Sequence, residues 1–430
     1  MLLLPRNIWR SLISTPQSCA ATAFVAFFLL AIQYFRVKAA HDPSSLFFDY
    51  RTAYERPYSE IRTKQADAFI AQAGNGPQPK ASTNPSLCIC AGGVQRYGAR
   101  YFRTMIGSLL EGLSEKERSD ILLVPFIGNV DPNDHQAYKE AWLHNVADHI
   151  LIYSNETVSA EDQERLRGME NPGGHFEKGL FDWIFMLKGC MNSTADYYVL
   201  VEDDALAMDG WYSRTKAALK TIEDSPLYGN SIYLRLFYNT GLQGWNSEYW
   251  PYYVFWSVAF ELFVLGIIYL LRSSKIKKAN EFLTDRAVLV ILFICAPACI
   301  LLYFAAGRIT IYSPSSGVYP MNHHACCSQA FVFPAEQVPP LVDFYNEKRV
   351  GYRDSLLEEY SDARDMTRWA ITPSVVQHVG SKSSKEDAES HEPTDKYGRT
   401  VAQNIWNFQF EQWDAKELRR EHLHPISEGE

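Results

Sequence analysis

Two strongly apolar stretches, residues 251–271 and 287–306, lie well inside the chain rather than at its start. Each is about 20 residues long, the length that an α-helix needs to cross the hydrocarbon core of a bilayer. The short segment between them carries five basic residues, at positions 272, 275, 277, 278 and 286. The positive-inside rule predicts that this loop faces the cytosol, so both ends of the hairpin face the lumen. Any domain built from the flanking sequence must therefore accept a membrane hairpin as an insertion.

A third apolar stretch, residues 18–35, carries no charge and follows Arg6 and Arg10. A cleaved signal peptide is the competing interpretation, because small residues lie near its start. No small-residue cleavage site directly follows the stretch, which favours an uncleaved anchor with a cytosolic N-terminus. The predicted order is a cytosolic tail at 1–17, an anchor at 18–35, a lumenal stem and linker at 36–85, a first α/β part at 86–250, the hairpin at 251–306 and a second α/β part at 307–430.

Short apolar runs alternate with helical periods from residue 87 onwards, which predicts an α/β domain with a mainly parallel sheet. The predicted strands lie at 87–91, 121–127, 149–153, 197–201, 231–237, 330–333 and 374–379. Elements on both sides of the hairpin share this pattern, so we interpret the hairpin as an insertion into one domain. With 41 Lys and Arg against 50 Asp and Glu, the chain has a net charge of −9 and lacks the overall basic character of a nucleic-acid-binding protein.

Three consecutive carboxylates, Glu202, Asp203 and Asp204, end the apolar run at 197–201. Ligands bind at the carboxyl ends of strands in open α/β sheets. Because side chains alternate along a strand, Glu202 and Asp204 are predicted to share one face while Asp203 points the other way. Two carboxylates on one face suit a divalent cation whose other ligands are water and a diphosphate. A solvated turn is the competing interpretation, but it needs only a single aspartate.

Cysteines and glycosylation sequons agree with a lumenal domain. Five cysteines are predicted to be lumenal, where disulfides persist, and the odd number leaves at least one thiol unpaired or paired elsewhere: Cys88, Cys90, Cys190, Cys326 and Cys327. Asn155 and Asn192 each begin an Asn-x-Thr sequon. His323 and His324, next to two of the cysteines, are compatible with zinc, although disulfides are favoured in the lumen.

Several segments together resemble glycosyltransferases of the GT-A fold. The resembling segments are the strand and acidic motif at 197–204, the helix before it at 178–187, Arg96 with 101–109, and the closing segments at 354–360 and 373–384. They look like the corresponding parts of the N-acetylglucosaminyltransferase IV-like group. A GT-A domain with an N-terminal anchor and a two-span insertion is similar to the family of GPI-glycan N-acetylgalactosamine transferases, and the resemblance covers residues 87–410 apart from the hairpin.

The resemblance implies a Golgi enzyme that uses Mn²⁺ and UDP-GalNAc and adds a β-linked sugar to a mannose of the glycan on GPI-anchored proteins. It implies a metal ligand at Asp204, a direct or water-mediated ligand at Glu202 and a donor contact at Asp203, and the last two roles could be exchanged. We place His378 in the metal shell or on the diphosphate, although a polar residue that caps a strand is the competing interpretation. We place Arg96 and Lys178 on the nucleotide and Asp182 on the uracil or ribose, and ordinary surface charges are the competing interpretation. Inversion needs a general base, which we place at Asp354, and the further candidates Glu358, Glu359 and Asp362 lie within two helical turns of it.

An aromatic and glycine-rich stretch precedes the first apolar stretch of the hairpin, and Tyr238 and Trp245 are its candidates for contact with the acceptor. An aromatic belt at the membrane interface is the competing interpretation. For the whole chain, two other functions stay open at this point. One is a noncatalytic GPI-binding or cargo-sorting membrane protein that retains the fold, and the other is a metal-dependent phosphohydrolase.

Overall fold

A computed structural model describes residues 15–96, 98–169, 174–274, 276–312, 315–323, 326–381 and 400–423. The chain forms two compact units. The membrane unit consists of residues Met1–Tyr54 and Gln243–Ser313, and the sheet unit consists of residues Glu55–Leu242 and Pro314–Glu430. Each unit is therefore built from two separate pieces of the chain.

The strands, all in the sheet unit, are β1 (Leu87–Gly93), β2 (Ile121–Ile127), β3 (Leu151–Ile152), β4 (Tyr197–Glu202), β5 (Ala205–Ala207), β6 (Ser231–Arg235), β7 (Gly317–Pro320), β8 (Ala330–Pro334), β9 (Thr367–Thr372) and β10 (Val376–His378). Within the described residues, eight strands form one sheet in the order β3-β2-β1-β4-β8-β6-β9-β7. The β1–β2, β2–β3, β1–β4 and β6–β9 pairs are parallel, while β8 and β7 run antiparallel to their neighbours. The predicted α/β fold with a mainly parallel sheet is confirmed.

The helices are α1 (Pro16–Lys38), α2 (Pro57–Ala73), α3 (Tyr101–Leu110), α4 (Glu115–Ser119), α5 (Ala141–Val146), α6 (Ala160–Met169), α7 (His175–Met191), α8 (Trp211–Glu223), α9 (Trp250–Ser273), α10 (Lys277–Phe282), α11 (Asp285–Val290), α12 (Ala296–Ala305), α13 (Arg308–Ile311), α14 (Val338–Lys348), α15 (Arg353–Asp362), α16 (Val401–Asn404) and α17 (Ala415–Leu423). A π-helical turn, Ile291–Cys295, joins α11 to α12.

The sheet continues across the hairpin insertion. Strand β6 precedes the hairpin in sequence, whereas its two neighbours in the sheet, β8 and β9, follow it. The sheet is also buried on both faces, since alternate residues of β1 belong to two different hydrophobic clusters. Burial on both faces explains why the central strands are apolar throughout instead of alternating with polar residues.

Three helical segments are long and apolar enough to cross a membrane within the described residues: Pro16–Lys38, Thr240–Ser273 and Asp285–Ala305. They fit a multi-pass membrane protein, as the sequence predicts. The third segment contains the π-helical turn directly before Pro297. Proline has no backbone N–H to donate to the preceding turn, which accounts for the irregular helix there.

The structure divides the predicted stem and linker, residues 36–85, between the two units. The residues after α1 bind the end of the third apolar segment, where Ser45 donates a hydrogen bond to the carbonyl of Ala305 (2.9 Å). Helix α2 instead belongs to the sheet unit, because the buried guanidinium of Arg62 donates to the carbonyls of Ala207 (2.9 Å) and Ser108 (2.7 Å). A buried charge needs such partners, and only the sheet unit supplies them. The hairpin piece of the membrane unit, Gln243–Ser313, contains the whole of the predicted hairpin at 251–306.

Candidate active site

The candidate site lies at the carboxyl ends of the parallel strands β1 and β4. Gly92 in β1 is paired with Glu202, the last residue of β4. Because parallel neighbours end at the same edge of a sheet, Arg96 after β1 and the acidic motif after β4 are brought together. The prediction that these carboxylates lie at a strand end is therefore confirmed by the position of β4.

Arg96 binds both aspartates of the motif. Its Nε and Nη2 donate to the two carboxylate oxygens of Asp203 at 2.8 and 2.6 Å, and Nη2 also lies 3.0 Å from Oδ2 of Asp204. Both aspartates are 5% exposed. Buried carboxylates need such a partner, since an unpaired charge is costly away from water.

Burial and charge act differently on the two aspartates. Burial raises the pKa of Asp203 above its usual range and outweighs the opposing charge of Arg96, while the nearby Asp204 charge raises it further. Burial also acts to raise the pKa of Asp204, but the positive charges of Arg96 and His378 outweigh it, so that this pKa is lowered. Asp204 is consequently the carboxylate of the pair that stays ionised most readily.

His378 reaches Asp204 from the second, two-stranded sheet. Strand β10 pairs antiparallel with β5 so that His378 is opposite Ala205, directly after the motif. Nε2 of His378 lies 3.3 Å from Oδ2 of Asp204, and Nδ1 lies 3.1 Å from the carbonyl oxygen of Ile405. The structure therefore places the sequence-predicted His378 and Asp204 side by side.

Glu202 and Asp204 have different partners, whereas the predicted alternation of faces places the two side chains together. Strand β4 ends at Glu202, and the next two residues form a turn that brings Asp203 and Asp204 together instead. The carboxylate of Glu202 accepts hydrogen bonds from Arg353 and from the hydroxyl of Ser328 (2.6 Å). The alternation rule applies only while the chain is extended, which is why it failed at this position.

Asp354 lies next to the partners of Glu202. It follows Arg353 at the start of α15, and its Oδ2 accepts a hydrogen bond from the backbone N–H of Cys327 (2.9 Å), the residue before Ser328. The structure thus brings the predicted base and Glu202 into one group, connected through Arg353 and Ser328. Asp354 is only partly buried.

The other candidate bases on α15 lie elsewhere. Glu359 is exposed and pairs with Lys348 (2.6 Å), while Asp362 pairs with Arg368 and with His323. Glu358 is buried, and its carboxylate binds Arg235 (2.7 Å), Tyr233 (2.7 Å) and Arg368 (3.1 Å). The hydrogen-bond and ion-pair partners of these three carboxylates therefore differ from those of Asp354 and Glu202.

Lys178 and Asp182 form a second polar group on α7. Nζ of Lys178 lies 2.8 Å from Oδ1 of Asp182 and donates to the carbonyl of Gly128 (2.7 Å), at the end of β2. The hydroxyl of Tyr153 also donates to Asp182. One turn of helix separates the two residues, which explains why they meet. Lys178 and Asp182, two of the predicted donor contacts, therefore lie near the same edge of the sheet as Arg96.

The remaining predicted residues are placed as follows. Tyr238 is buried in the sheet unit, where its backbone N–H donates to Ser374 (2.8 Å), whereas Trp245 belongs to the membrane unit. The sequon residues Asn155 and Asn192 are both exposed.

Disulfide bonds join Cys88 to Cys190 and Cys326 to Cys327. Cys90 is unpaired and buried, and burial raises the pKa of its thiol. His324 lies outside the described residues.

The residues of the site fit a divalent cation in part. Oδ1 of Asp204 is buried and has no hydrogen-bond partner, which is unusual for a carboxylate oxygen. Asp204 and His378 together offer the carboxylate and imidazole donors that Mn²⁺ accepts. Glu202 does not complete this set, and no group of three candidate ligands occurs among the residues that the structure describes. A cation here would take its other ligands from water and a bound diphosphate.

Arg353 is the site residue that the sequence analysis missed. Its guanidinium binds Glu202 and Ser328 and lies 5.3 Å from the ring centre of Trp183 on α7. The sequence feature that could have identified Arg353 is its position directly before Asp354, at the start of a helix. A second missed contact is that of Tyr101, whose hydroxyl lies 2.7 Å from that of Ser381.

Comparison with known families assigns the sheet unit and the hairpin to one family. The sequence model described as the GPI-N-acetylgalactosamine transferase PGAP4 matches residues 87–377, which run from the first residue of β1 to the residue before His378. The match includes Arg96, the acidic motif and Asp354 as well as the membrane hairpin. No curated protein matches the chain. The matched range covers more than half of the sequence, and the chain belongs to the family of GPI-N-acetylgalactosamine transferases.

Proposed function

We propose that the protein transfers GalNAc from UDP-GalNAc to a mannose of the GPI glycan on GPI-anchored proteins, with inversion, in the lumen of the Golgi. The family assignment supports the transferase activity, the GPI acceptor and the sugar. The observation that carries the donor assignment is the buried, unpartnered Oδ1 of Asp204 beside His378, at a strand end where nucleotides bind in α/β sheets.

Three pairs of residues contribute to binding the donor. Asp204 and His378 would hold a Mn²⁺ ion, which would neutralise charge on the departing diphosphate. Arg96 supplies a guanidinium that Asp203 already orients through two hydrogen bonds. Lys178 and Asp182 on α7 bind the nucleoside, with Asp182 accepting from a hydroxyl of the ribose or an N–H of the uracil. These polar groups are fixed by their neighbours before the donor binds, which lowers the cost of ordering them.

Asp354 acts as the general base. The acceptor hydroxyl gives its proton to the Asp354 carboxylate, its oxygen bonds to the anomeric carbon, and the bond from that carbon to UDP breaks with the electron pair leaving on the diphosphate. The backbone N–H of Cys327 holds Oδ2 of Asp354, and Oδ1 accepts from the N–H of Ser355. These two contacts orient the carboxylate while its remaining lone pairs can accept a proton.

The test is a transfer assay with the purified full-length chain in lipid nanodiscs. UDP-GalNAc, UDP-galactose and UDP-GlcNAc are supplied in turn with a GPI acceptor, with Mn²⁺ or with EDTA, and the product glycan is analysed by mass spectrometry. We expect a GalNAc-modified mannose that requires Mn²⁺. Asp204→Asn should abolish transfer, whereas the control Asp196→Asn, at the exposed opposite end of β4, should not.

The alternative functions give different results in the same assay. A noncatalytic GPI-binding protein would retain the acceptor without consuming any UDP-sugar. A phosphohydrolase would release phosphate without forming a glycosidic bond. Either result would refute the proposed function.

A further inference from the structure

The membrane unit contains a groove of about 670 Å³ between α9 and α12, outside the site described above. Its walls are mainly aromatic and aliphatic, and they include Trp245, Tyr253, Trp256, Ile300, Tyr303 and Phe304. This volume lies within the range of about 300–1,000 Å³ that is typical of small-molecule sites. Aromatic rings keep the two helices apart along this groove, since Trp245 packs against both Tyr253 (5.4 Å) and Phe304 (4.9 Å).

The groove has an apolar end and a polar end. Phe260 marks the apolar end, because it lies ten residues, or about 15 Å, along α9 from the first residue of that helix. At the other end lie the guanidinium of Arg308 and the hydroxyls of Tyr303 and Tyr312, which are 2.6 Å apart. A hydrocarbon chain therefore suits one end of the groove, and a polar anionic group suits the other.

Arg308 is held in place by hydrogen bonds to uncharged groups. One of its Nη atoms donates to the carbonyl of Gln243 (2.8 Å), and its backbone N–H donates to Ser44 (2.9 Å). In the ranges that the structure describes, no carboxylate forms an ion pair with it. A guanidinium presents five donors in a planar fork that matches the oxygens of a phosphate, so a phosphodiester is the anion that suits it best.

We propose that this groove binds the phosphatidylinositol portion of the GPI acceptor, with its phosphodiester on Arg308 and a hydrocarbon chain between α9 and α12. The assignment rests on the proposed function, which supplies a lipid-linked acceptor. With the basic loop in the cytosol, the Arg308 end of the groove lies in the lumenal leaflet, where the acceptor is anchored.

Native mass spectrometry of the full chain, released from detergent micelles, tests binding without any need for activity. The probes are phosphatidylinositol and, for comparison, diacylglycerol, which has the same hydrocarbon chains but no phosphodiester. We expect one retained phosphatidylinositol, at roughly tenfold higher occupancy than diacylglycerol, which is the gain of a charge-assisted hydrogen bond. Arg308→Gln should remove that preference, and Ile300→Trp should fill the groove and reduce the retention of both lipids. Arg286→Gln, at the basic-loop end of the hairpin, is the matched control and should behave as the wild type.

Any of three results would overturn the assignment. They are equal retention of the two lipids, equal behaviour of Arg308→Gln and Arg286→Gln, and a dimer in place of a lipid adduct. The proposed function is tested separately by whether GalNAc is transferred at all, to an intact acceptor or to one freed of its lipid and phosphate by phospholipase D. The groove is tested in turnover by comparing KM for these two acceptors. We expect a roughly tenfold lower KM for the intact acceptor, and loss of this preference in Arg308→Gln. An unchanged preference in that variant would contradict the groove. Phosphatidylinositol retention without transfer to either acceptor would support the groove and refute the transferase.

Discussion

Gly380 offers a direct test of whether the position of Asp204 controls activity. A Cβ atom at residue 380 would lie 2.8 Å from Cβ and 2.9 Å from Cγ of Asp204. The chain cannot easily move aside, because the N–H of Val379 donates to the carbonyl of Asp204 (2.9 Å) and the N–H of Ser381 donates to the hydroxyl of Tyr101 (2.9 Å). Gly380→Ala should therefore displace the Asp204 carboxylate.

The size of the effect follows from these distances. Ordinary contact begins near 3.4 Å, so Cβ of Asp204 must move by about 0.6 Å, and Oδ2 of Asp204, which would lie nearest to the added atom, must move further. Overpacking of this kind costs about 1–3 kcal/mol of stability. Catalytic groups must be held within about 0.5 Å of their productive geometry, and a misplacement of 1 Å can cost about 10²-fold in rate. We expect Gly380→Ala to lower the rate of transfer between about tenfold and 10²-fold.

The assay compares Gly380→Ala with Gly76→Ala, since a Cβ at residue 76 meets no atom within 4 Å. Initial rates of GalNAc transfer and the Mn²⁺-dependent affinity for UDP, from calorimetry, are measured at a temperature where both variants are folded. Gly76→Ala should match the wild type in both. A Gly380→Ala variant with the wild-type rate and UDP affinity would show that the placement of Asp204 beside residue 380 is irrelevant to function.

Three further predictions concern the base, a cross-link and a histidine. Asp354→Asn should lower the rate of transfer by about 10²–10⁴-fold, as for loss of a general base. It should keep the affinity for UDP, and calorimetry that finds UDP binding lost would assign Asp354 to the donor instead. Replacing Cys190 with alanine opens the cross-link to Cys88, 102 residues away, and should lower the free energy of unfolding by about 2–5 kcal/mol in a denaturant titration, whereas an unchanged midpoint would contradict it. The hydrogen bond to Asp209 raises the pKa of His422 above 6.5, against the effect of burial. The stability that His422 contributes over His422→Gln should therefore be fullest below pH 6.5 and be lost as the pH rises through the raised pKa, and titrations showing the opposite trend would refute the argument.

The parts of the fold that the sequence predicts well are those set by long apolar runs. Strands β1, β2 and β4 are buried on both faces, so each is a continuous apolar segment that ends sharply at glycines or charges. The membrane hairpin is equally clear, because the length of an apolar helix is fixed by the bilayer. These local signals were sufficient to predict both the insertion and the position of the acidic motif.

Strand β9 shows where such signals fail. Its sequence, Thr367 to Thr372, contains an arginine, and the sequence analysis did not predict it as a strand. The side chain of Arg368 is nevertheless buried. Its charge is compensated by Glu358 on α15, whose carboxylate lies 3.1 Å from Nε of Arg368. A buried ion pair depends on two segments that meet only in the folded chain, so that neither segment alone carries a pattern for it. The pairs of Arg96 with Asp203 and of Arg353 with Glu202 were unpredictable for the same reason.

The way these arginines are paired explains why the motif contains three acidic residues. Both oxygens of Asp203 accept from Arg96, and the carboxylate of Glu202 is bound to Arg353 and its neighbours. Among the motif oxygens in the described structure, only Oδ1 of Asp204 is buried without a partner. An arginine alone at this strand end would be free to adopt many rotamers, whereas a buried carboxylate fixes its planar donor fork. Under the proposed function, Glu202 and Asp203 would orient two cations toward the diphosphate, and Asp204, with His378, would be left to hold the metal.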